Sequence, residues 1–218
     1  MDITSIDFTP FIVSLKLAFF TTIILFIISI PLAYFLASYE GKGKSVIEAI
    51  FSLPIVLPPS VLGYYLLVGF SKISDSLAFS FEGILIASII YSFPFMFNPI
   101  LSAIENFDKT LIEASFSIKK TKFQTLRYVI LPNIKPAIFT GIVIAFGHTI
   151  GEFGVVLMVG GSIEGVTKVA SIAIYDYSET LEYNLANFYS LVLLLFSFII
   201  LFVVNLINRK IDVKNKTI

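Results

Sequence analysis

Long apolar runs separated by short polar stretches dominate this chain. Four runs contain no charged residue, at 17–39, 50–71, 83–104 and 183–208, and a fifth run, 136–163, is interrupted only by Glu152. Each is at least as long as the roughly 20 residues that a helix needs to cross a bilayer. The pattern predicts an all-α, polytopic membrane bundle with five transmembrane helices.

A sixth span is a second prediction of the same pattern. Pro54, Pro58 and Pro59 could divide the second run, and the stretch 166–174 is moderately apolar. Prolines also free backbone carbonyls, which hydrocarbon cannot solvate, so such a helix is tolerated only where protein buries it or where it lines water. A translocation pathway provides that setting, and a kink that only improves packing is the alternative.

Composition supports a membrane protein and excludes several function classes. Hydrophobic residues make up 57% of the chain and charged residues 14%, against about 25% charged in soluble domains. There is one histidine, no cysteine and no complete Gly-x-x-x-x-Gly-Lys-Ser/Thr phosphate loop, so we expect no enzyme activity, no cofactor and no metal site. The net charge is zero and we expect no nucleic-acid partner. Without repeats or linkers, residues 1–218 are predicted to form one transmembrane domain.

The basic residues predict the orientation of the chain. With five spans and the loop 105–135 in the cytoplasm, the cytoplasmic segments hold twelve of the fifteen Lys and Arg residues; Lys16, Lys72 and Lys168 lie outside. By the positive-inside rule, the N-terminus is outside and the C-terminus is cytoplasmic. A sixth span before residue 105 would reverse the N-terminus. The predicted location is the cytoplasmic membrane of a prokaryote, with lipid around the bundle.

The charged loop, residues 105–135, is the main place where a soluble partner could bind. From 109 to 128 it combines apolar residues at helical spacing with a basic face, and Pro132 and Pro136 end it. This predicts an amphipathic helix at an interface. Binding to anionic lipid is one explanation and binding to a protein is the other.

The sequence of this loop resembles the EAA coupling loop of ABC-importer permeases. Glu113-Ala114-Ser115 corresponds to the Glu-Ala-Ala of that pattern and Leu131-Pro132 to its later Leu-Pro. The family's glycine falls at Lys119, which suggests a continuous helix or a different bend. The resemblance implies that this helix seats in a cleft of a separate ATPase subunit.

Two further stretches resemble the molybdate-type permeases. They are 53–67, which contains Pro58 and Pro59, and 151–163, which begins Gly151-Glu152-Phe153-Gly154. The resemblance implies the permease of a molybdate or tungstate ABC importer, working as a homodimer with two ATPases and an external oxyanion-binding protein. A sulfate permease, whose chains are usually longer, is the first alternative. An ion-coupled secondary transporter and a structural membrane subunit are the others, although a secondary transporter would show internal repeats and more intramembrane charge.

Several residues of these stretches are predicted to line the pathway or its gate: Pro58, Pro59, Gly147, Gly151, Glu152, Phe153 and Gly154. Gly147 and Gly151 form a small-xxx-small pair, which permits two helices to approach closely, either at a gate or for packing alone. His148 and Glu152 are one turn apart on a helix. Because a carboxylate repels a dianion, Glu152 is expected to be a structural acceptor, bonded to helix ends or to His148, and not a cargo ligand.

Overall fold

The computed structural model describes residues 6–74 and 76–215, with side chains as far as residue 206. All regular elements in these residues are helical. They are α1 (Thr9–Ala37), α2 (Lys44–Val56), α3 (Pro59–Ile73), α4 (Phe81–Glu105), α5 (Lys109–Ser117), α6 (Lys122–Thr125), a π-helical turn (Leu126–Ile130), α7 (Leu131–Asn133), α8 (Lys135–Ile150), α9 (Gly154–Gly160), α10 (Ala170–Glu179) and α11 (Tyr183–Asn215).

Three of these helices, α1, α4 and α11, are long and apolar enough to cross a membrane, and two bent pairs raise the number to as many as five. The pairs are α2 with α3, and the segment Lys122–Asn133 with α8. The upper number equals the five spans predicted, but the last pair combines α8 with Lys122–Asn133 of the charged loop, whereas the predicted fifth run was 136–163. No sixth span is found in the described residues, because α10 has only 10 residues and a span needs about 20.

Prolines set the sharpest break of the fold. The axes of α2 and α3 differ by 108°, and both residues of the connection are extended, Leu57 with ψ 134° and Pro58 with ψ 133°. Each precedes a proline, whose ring disfavours the helical conformation of the residue before it. Pro54 lies inside α2, so the second apolar run is divided at Pro58 and Pro59.

Two apolar cores lie near opposite ends of α1. The first joins the C-terminal half of α1 to α4, α8 and the charged loop, with Leu36, Phe97 and Ile130 fully or almost fully buried. The second joins the start of α1 to α3, α4 and α9, with Leu17 and Val156 fully buried. Since α1 has 29 residues, its ends are about 43 Å apart.

The end of the bundle near the start of α1 carries the acidic segment 160–182. Lys168 pairs with Asp176 at 3.0 Å and more loosely with Glu164 at 3.8 Å. Burial acts to lower the pKa of Lys168, but the hydrogen bond and the charge of Asp176 outweigh burial and raise it. The Ser14 hydroxyl accepts from the Ala170 amide at 2.8 Å, which fixes α10 to α1.

Candidate functional site

The charged loop begins with a capped helix. The Asp108 carboxylate accepts hydrogen bonds from the Thr110 amide at 2.8 Å and from the Thr110 hydroxyl at 2.7 Å. These bonds from Thr110 hold the pKa of Asp108 below its ordinary value. Asp108 is therefore ionised at neutral pH, and it satisfies a free amide at the N-terminus of α5.

Of the two alternatives predicted at Lys119, the continuous helix is wrong, because α5 ends at Ser117 and the chain bends at Lys119. Lys119 has φ 60°, in the left-handed region that favours glycine. Its amide donates to the Phe116 carbonyl at 2.8 Å and the Lys120 amide to the Ser115 carbonyl at 3.1 Å. This pair of bonds is a Schellman motif, which ends a helix at a left-handed residue. Lys119 thus adopts the glycine-type turn.

A buried hydrogen bond holds the two arms of the loop together. The Ser115 hydroxyl contacts the Thr125 hydroxyl at 2.8 Å and also donates to the Ile112 carbonyl. Both side chains are buried, at 4% and 0% exposure. A capping box between Thr121 and Gln124 starts α6. The loop is a closed, internally bonded unit.

The predicted coupling residues lie on different sides of this unit. Glu113, Ala114, Lys119 and Pro132 are exposed, Ser115 is buried, and Leu131 is partly buried against the first core. The loop also exposes a set of large apolar side chains, Leu111, Phe116, Ile118, Phe123 and Tyr128. Phe116 and Tyr128 were not among the apolar residues predicted for the face of this loop.

The predicted pathway residues meet around one open cavity of about 570 Å³. It is lined by Pro59, Gly147, Gly151, Glu152, Phe153 and Gly154, together with Ser60, Tyr91 and His148. Pro58 does not line it. The two stretches are almost ninety residues apart in the chain, so the fold brings together six of the seven predicted residues.

Glycines allow the two broken runs to meet. A Cβ at Gly154 would lie 2.8 Å from the Cβ of Pro59, and a Cβ at Gly63 would lie 2.6 Å from the Cβ of Met158. Such distances are shorter than real carbon contacts, so α3 and α9 touch where these residues have no side chain. The Gly63 contact was missed from sequence, since glycine spacing within one helix does not identify a partner helix.

Gly147 and Gly151 do not mediate a helix–helix contact within the described chain. No atom of another element lies within 4 Å of a Cβ built at Gly147, and a Cβ at Gly151 would meet only backbone oxygens of its own helix, at 3.8 Å. The residue of α8 that lies close to another helix is Gly141. A Cβ built there would be 3.1 Å from the carbonyl oxygen of Met96 in α4. A role of Gly147 and Gly151 at a gate or between two copies stays a prediction.

The expected bonding of Glu152 is wrong. Its carboxyl oxygens are buried and have no hydrogen-bond partner among the described residues. The reason is the end of α8 at Ile150, because residues 151–153 leave the helix and separate Glu152 from His148. Ser88 of α4 is a polar neighbour, but neither side chain makes a hydrogen bond of acceptable geometry. The backbone of Glu152 is bonded: its carbonyl accepts from the Ser171 hydroxyl at 2.6 Å and its amide donates to the Thr149 carbonyl at 3.3 Å.

His148 instead bonds to α4. Its Nδ1 lies 3.0 Å from the Ser92 hydroxyl, Ser92 lies 3.0 Å from the Thr149 hydroxyl, and Thr149 donates to the Ala145 carbonyl at 2.9 Å. The ring stacks on Phe95, with centroids 3.9 Å apart, and lies 5.0 Å from the Tyr91 ring. Within residues 6–74 and 76–215, no group of three His, Asp or Glu side chains has an arrangement for a metal ion.

Residues 29–214 match the family of binding-protein-dependent transport system inner membrane components. The molybdenum transport system permease protein ModB of Azotobacter vinelandii is 35% identical over 213 residues, covering 93% of this chain and 94% of ModB. The sulfate transport system permease protein CysT of Escherichia coli is 27% identical over 208 residues, covering 91% of this chain and 75% of CysT.

Solved structures agree with this family at the level of the fold. The MetNI methionine ABC transporter in an inward-facing conformation matches with a TM-score of 0.75 at 19% identity, covering 91% of this chain and 92% of that chain. A bacterial ABC transporter that imports alginate matches with a TM-score of 0.74 at 19% identity, covering 93% of this chain and 79% of that chain. The chain therefore belongs to the binding-protein-dependent transport inner membrane components, as a multi-pass permease subunit of the ABC-importer type.

Proposed function

We propose that this chain is the permease of an ABC importer for molybdate or tungstate. In this proposal two copies form the pathway, two cytoplasmic ATPases dock on the charged loops, and an external binding protein delivers the oxyanion. ATP hydrolysis belongs to the partner subunits. Each nucleotide state of the ATPases stabilises the permease conformation to which it binds with higher affinity.

The observation that carries the substrate class is the full-length similarity to ModB. The alignment covers 94% of ModB, whereas the aligned CysT proteins of E. coli and Chlorella vulgaris are covered to 75% and 78%. The CysT chains are longer than this one, as expected for sulfate permeases. Sulfate is the second candidate substrate, because CysT of Chlorella vulgaris is still 30% identical.

The charged loop supports the docking of an ATPase. Large apolar side chains such as Phe116, Ile118 and Phe123 are 43%, 68% and 67% exposed, beside several lysines. Internal bonds such as that between Ser115 and Thr125 hold the loop in shape. A preformed apolar surface with a charged rim suits a protein interface, and a rigid loop transmits the movement of a partner.

The orientation proposal places the loop and the C-terminus in the cytoplasm. The charged loop contacts the C-terminal end of α1, where the Tyr34 hydroxyl donates to the Lys122 carbonyl at 3.4 Å. The acidic segment contacts α1 at Ser14, whose hydroxyl bonds to Ala170, about 30 Å from Tyr34 along the helix. The positive-inside rule favours a cytoplasmic position for the end of α1 that contacts the basic loop.

Reconstituted transport tests the substrate. The permease is assembled in vesicles with its ATPase, and the loaded binding protein is added outside. We expect ATP-dependent uptake of molybdate and tungstate, with little competition from an equal concentration of sulfate. Preferential sulfate uptake would assign the chain to the second candidate, and uptake driven by an ion gradient without ATP would exclude an ABC importer.

Substitution of Glu113 tests the docking surface. Glu113→Arg reverses one exposed charge on α5, so we expect about tenfold less ATP-coupled uptake with a permease that still folds, the scale of one lost charged contact at an interface. Glu164→Arg, the same substitution in the acidic segment, is the control and should leave ATPase assembly intact. Normal coupled uptake by Glu113→Arg would place the ATPase contact elsewhere.

A further inference from the structure

His148 lies at the wall of the cavity that the two broken runs enclose. It lines this cavity together with Ser60, Tyr91 and Gly147, and also a second cavity of about 290 Å³ between α8 and α11, which includes Ser197. It is the single histidine of the chain. No lysine or arginine lines either cavity, so His148 is the group there that can present a positive charge to an anion.

The hydrogen bonds of His148 determine which ring nitrogen carries the proton. If Nδ1 donates to Ser92, then Ser92 donates to Thr149 and Thr149 donates to the Ala145 carbonyl, which makes three bonds. If Ser92 donates to Nδ1, Thr149 must turn its proton towards Ser92, and the bond to Ala145 is lost. Two bonds remain in that arrangement. The first arrangement is preferred, because a buried polar group gains from each bond it makes.

This tautomer has a consequence for Nε2. In the neutral ring the proton is on Nδ1, so Nε2 carries a lone pair and cannot donate to an oxyanion. Once Nε2 is also protonated, the imidazolium keeps its bond to Ser92 and gains a donor and a positive charge. An isolated cation against the rings of Phe95 and Tyr91 is costly to bury, whereas a cation paired with a dianion is not. Protonation and anion binding therefore favour each other.

We infer that His148 is a transient contact for the transported oxyanion, which it binds through Nε2 in the doubly protonated form. The inference rests on the proposed function and assigns a residue to its pathway. The proton comes from water in the cavity and returns to water when the anion leaves. A contact that exists only while the anion is present gives weak binding, which suits a transit site.

The other groups that line these cavities differ from His148. Tyr91 of α4 faces the ring and ionises only in alkaline solution. Ser60 of α3 and Ser197 of α11 do not titrate. Glu152, which follows α8, is a second titratable group of the same cavity, with buried carboxyl oxygens. A pH dependence of uptake is therefore assigned to His148 only where substitution of His148 removes it.

Two substitutions separate anion contact from a structural role. In His148→Asn the side-chain amide reaches the position of Nδ1 and can bond to Ser92, but nothing extends to the position of Nε2. In His148→Gln the amide reaches the position of Nε2 and can donate to an anion at any pH. Anion contact predicts that Gln retains more uptake than Asn, and a purely structural bond to Ser92 predicts the reverse.

The experiment measures ATP-dependent molybdate uptake in vesicles that contain the permease and its ATPase, with the binding protein present. Uptake is normalised to ATP hydrolysis. It is measured between about pH 6 and pH 8.5, the range in which histidine titrates. We expect wild-type uptake to fall roughly threefold or more as the pH rises, a flat profile for His148→Gln and the lowest uptake for His148→Asn. The inference is overturned if wild type and His148→Gln have the same profile, or if His148→Asn exceeds His148→Gln. Absence of wild-type uptake of molybdate and tungstate at every pH would instead contradict the proposed function.

Discussion

At the scale of single residues, Lys119 departs from the rule that a helix ends on glycine. Its backbone has φ 60°, which costs about 1 kcal/mol or more for a residue with a Cβ. The two bonds of the Schellman motif hold it there. Leu181 has φ 63° and ends α10 in the same way, with the Glu182 amide donating to the Tyr177 carbonyl at 2.8 Å.

Replacing Lys119 by glycine should stabilise the turn. We expect Lys119→Gly to gain about 0.5–1 kcal/mol locally, because glycine adopts the left-handed conformation without a steric penalty. The measurement is hydrogen exchange of a peptide containing the amides of residues 119 and 120, which should slow several-fold. Lys119→Ala is the control, since it removes the charge and keeps the Cβ. Equal slowing in both variants would assign the effect to charge.

Six of the nine residues that line the cavity were named from sequence as candidates, but their contacts were not. Prolines and glycines in apolar runs identify places where a membrane helix breaks, so Pro59, Gly151 and Gly154 were expected at a special location. The bond from His148 to Ser92 joins positions 56 residues apart. Such a contact depends on how α4 and α8 are placed, which hydropathy does not encode.

At the scale of the helices, the contact between α3 and α9 joins the two broken apolar runs. Each is one half of a broken apolar run, with 15 and 7 residues, and neither is long enough to cross a bilayer alone. The positions of the long apolar segments were predictable from run length, and the structure gives three spanning helices, or up to five if each bent pair is one span. The bend of 108° between α2 and α3 was not, since a proline determines where a helix breaks and the packing of both halves determines the angle.

Alanine substitution of two glycines in α3 tests this contact. Gly63→Ala places a Cβ 2.6 Å from that of Met158 and 3.3 Å from the Cα of Val155. We expect a loss of about 1–3 kcal/mol, typical of an overpacked core, and a lower midpoint of thermal unfolding in detergent.

Gly69→Ala is the matched control on the same helix, because nothing lies within 4 Å of its Cβ. It should leave the midpoint unchanged or raise it, since alanine has the higher helix propensity. A Gly63→Ala protein as stable as Gly69→Ala would show that α9 can move away from α3 at little cost.

At the scale of the whole molecule, one chain leaves its cavity open and much of its apolar surface exposed. α11 presents Leu194, Phe198 and Leu201 at 63%, 63% and 58% exposure, and Gly147 faces open space. Lipid can cover α11. Lipid does not suit a cavity whose wall carries His148, Ser60 and Tyr91, because hydrocarbon cannot satisfy polar groups. In the proposed homodimer, a second copy related by two-fold symmetry would close this cavity with the same residues.

Cross-linking can locate this two-fold axis, and the absence of native cysteine makes single-cysteine variants easy to interpret. If two copies enclose the cavity, Gly147→Cys places the two thiols close together, and a short bifunctional maleimide should join most of the protein into a dimer in native membranes. Phe35→Cys is the control, since Phe35 is 62% exposed on α1 and does not line the cavity. Efficient cross-linking at Phe35 with none at Gly147 would move the axis to α1 and leave the cavity facing lipid, which contradicts a pathway between two copies.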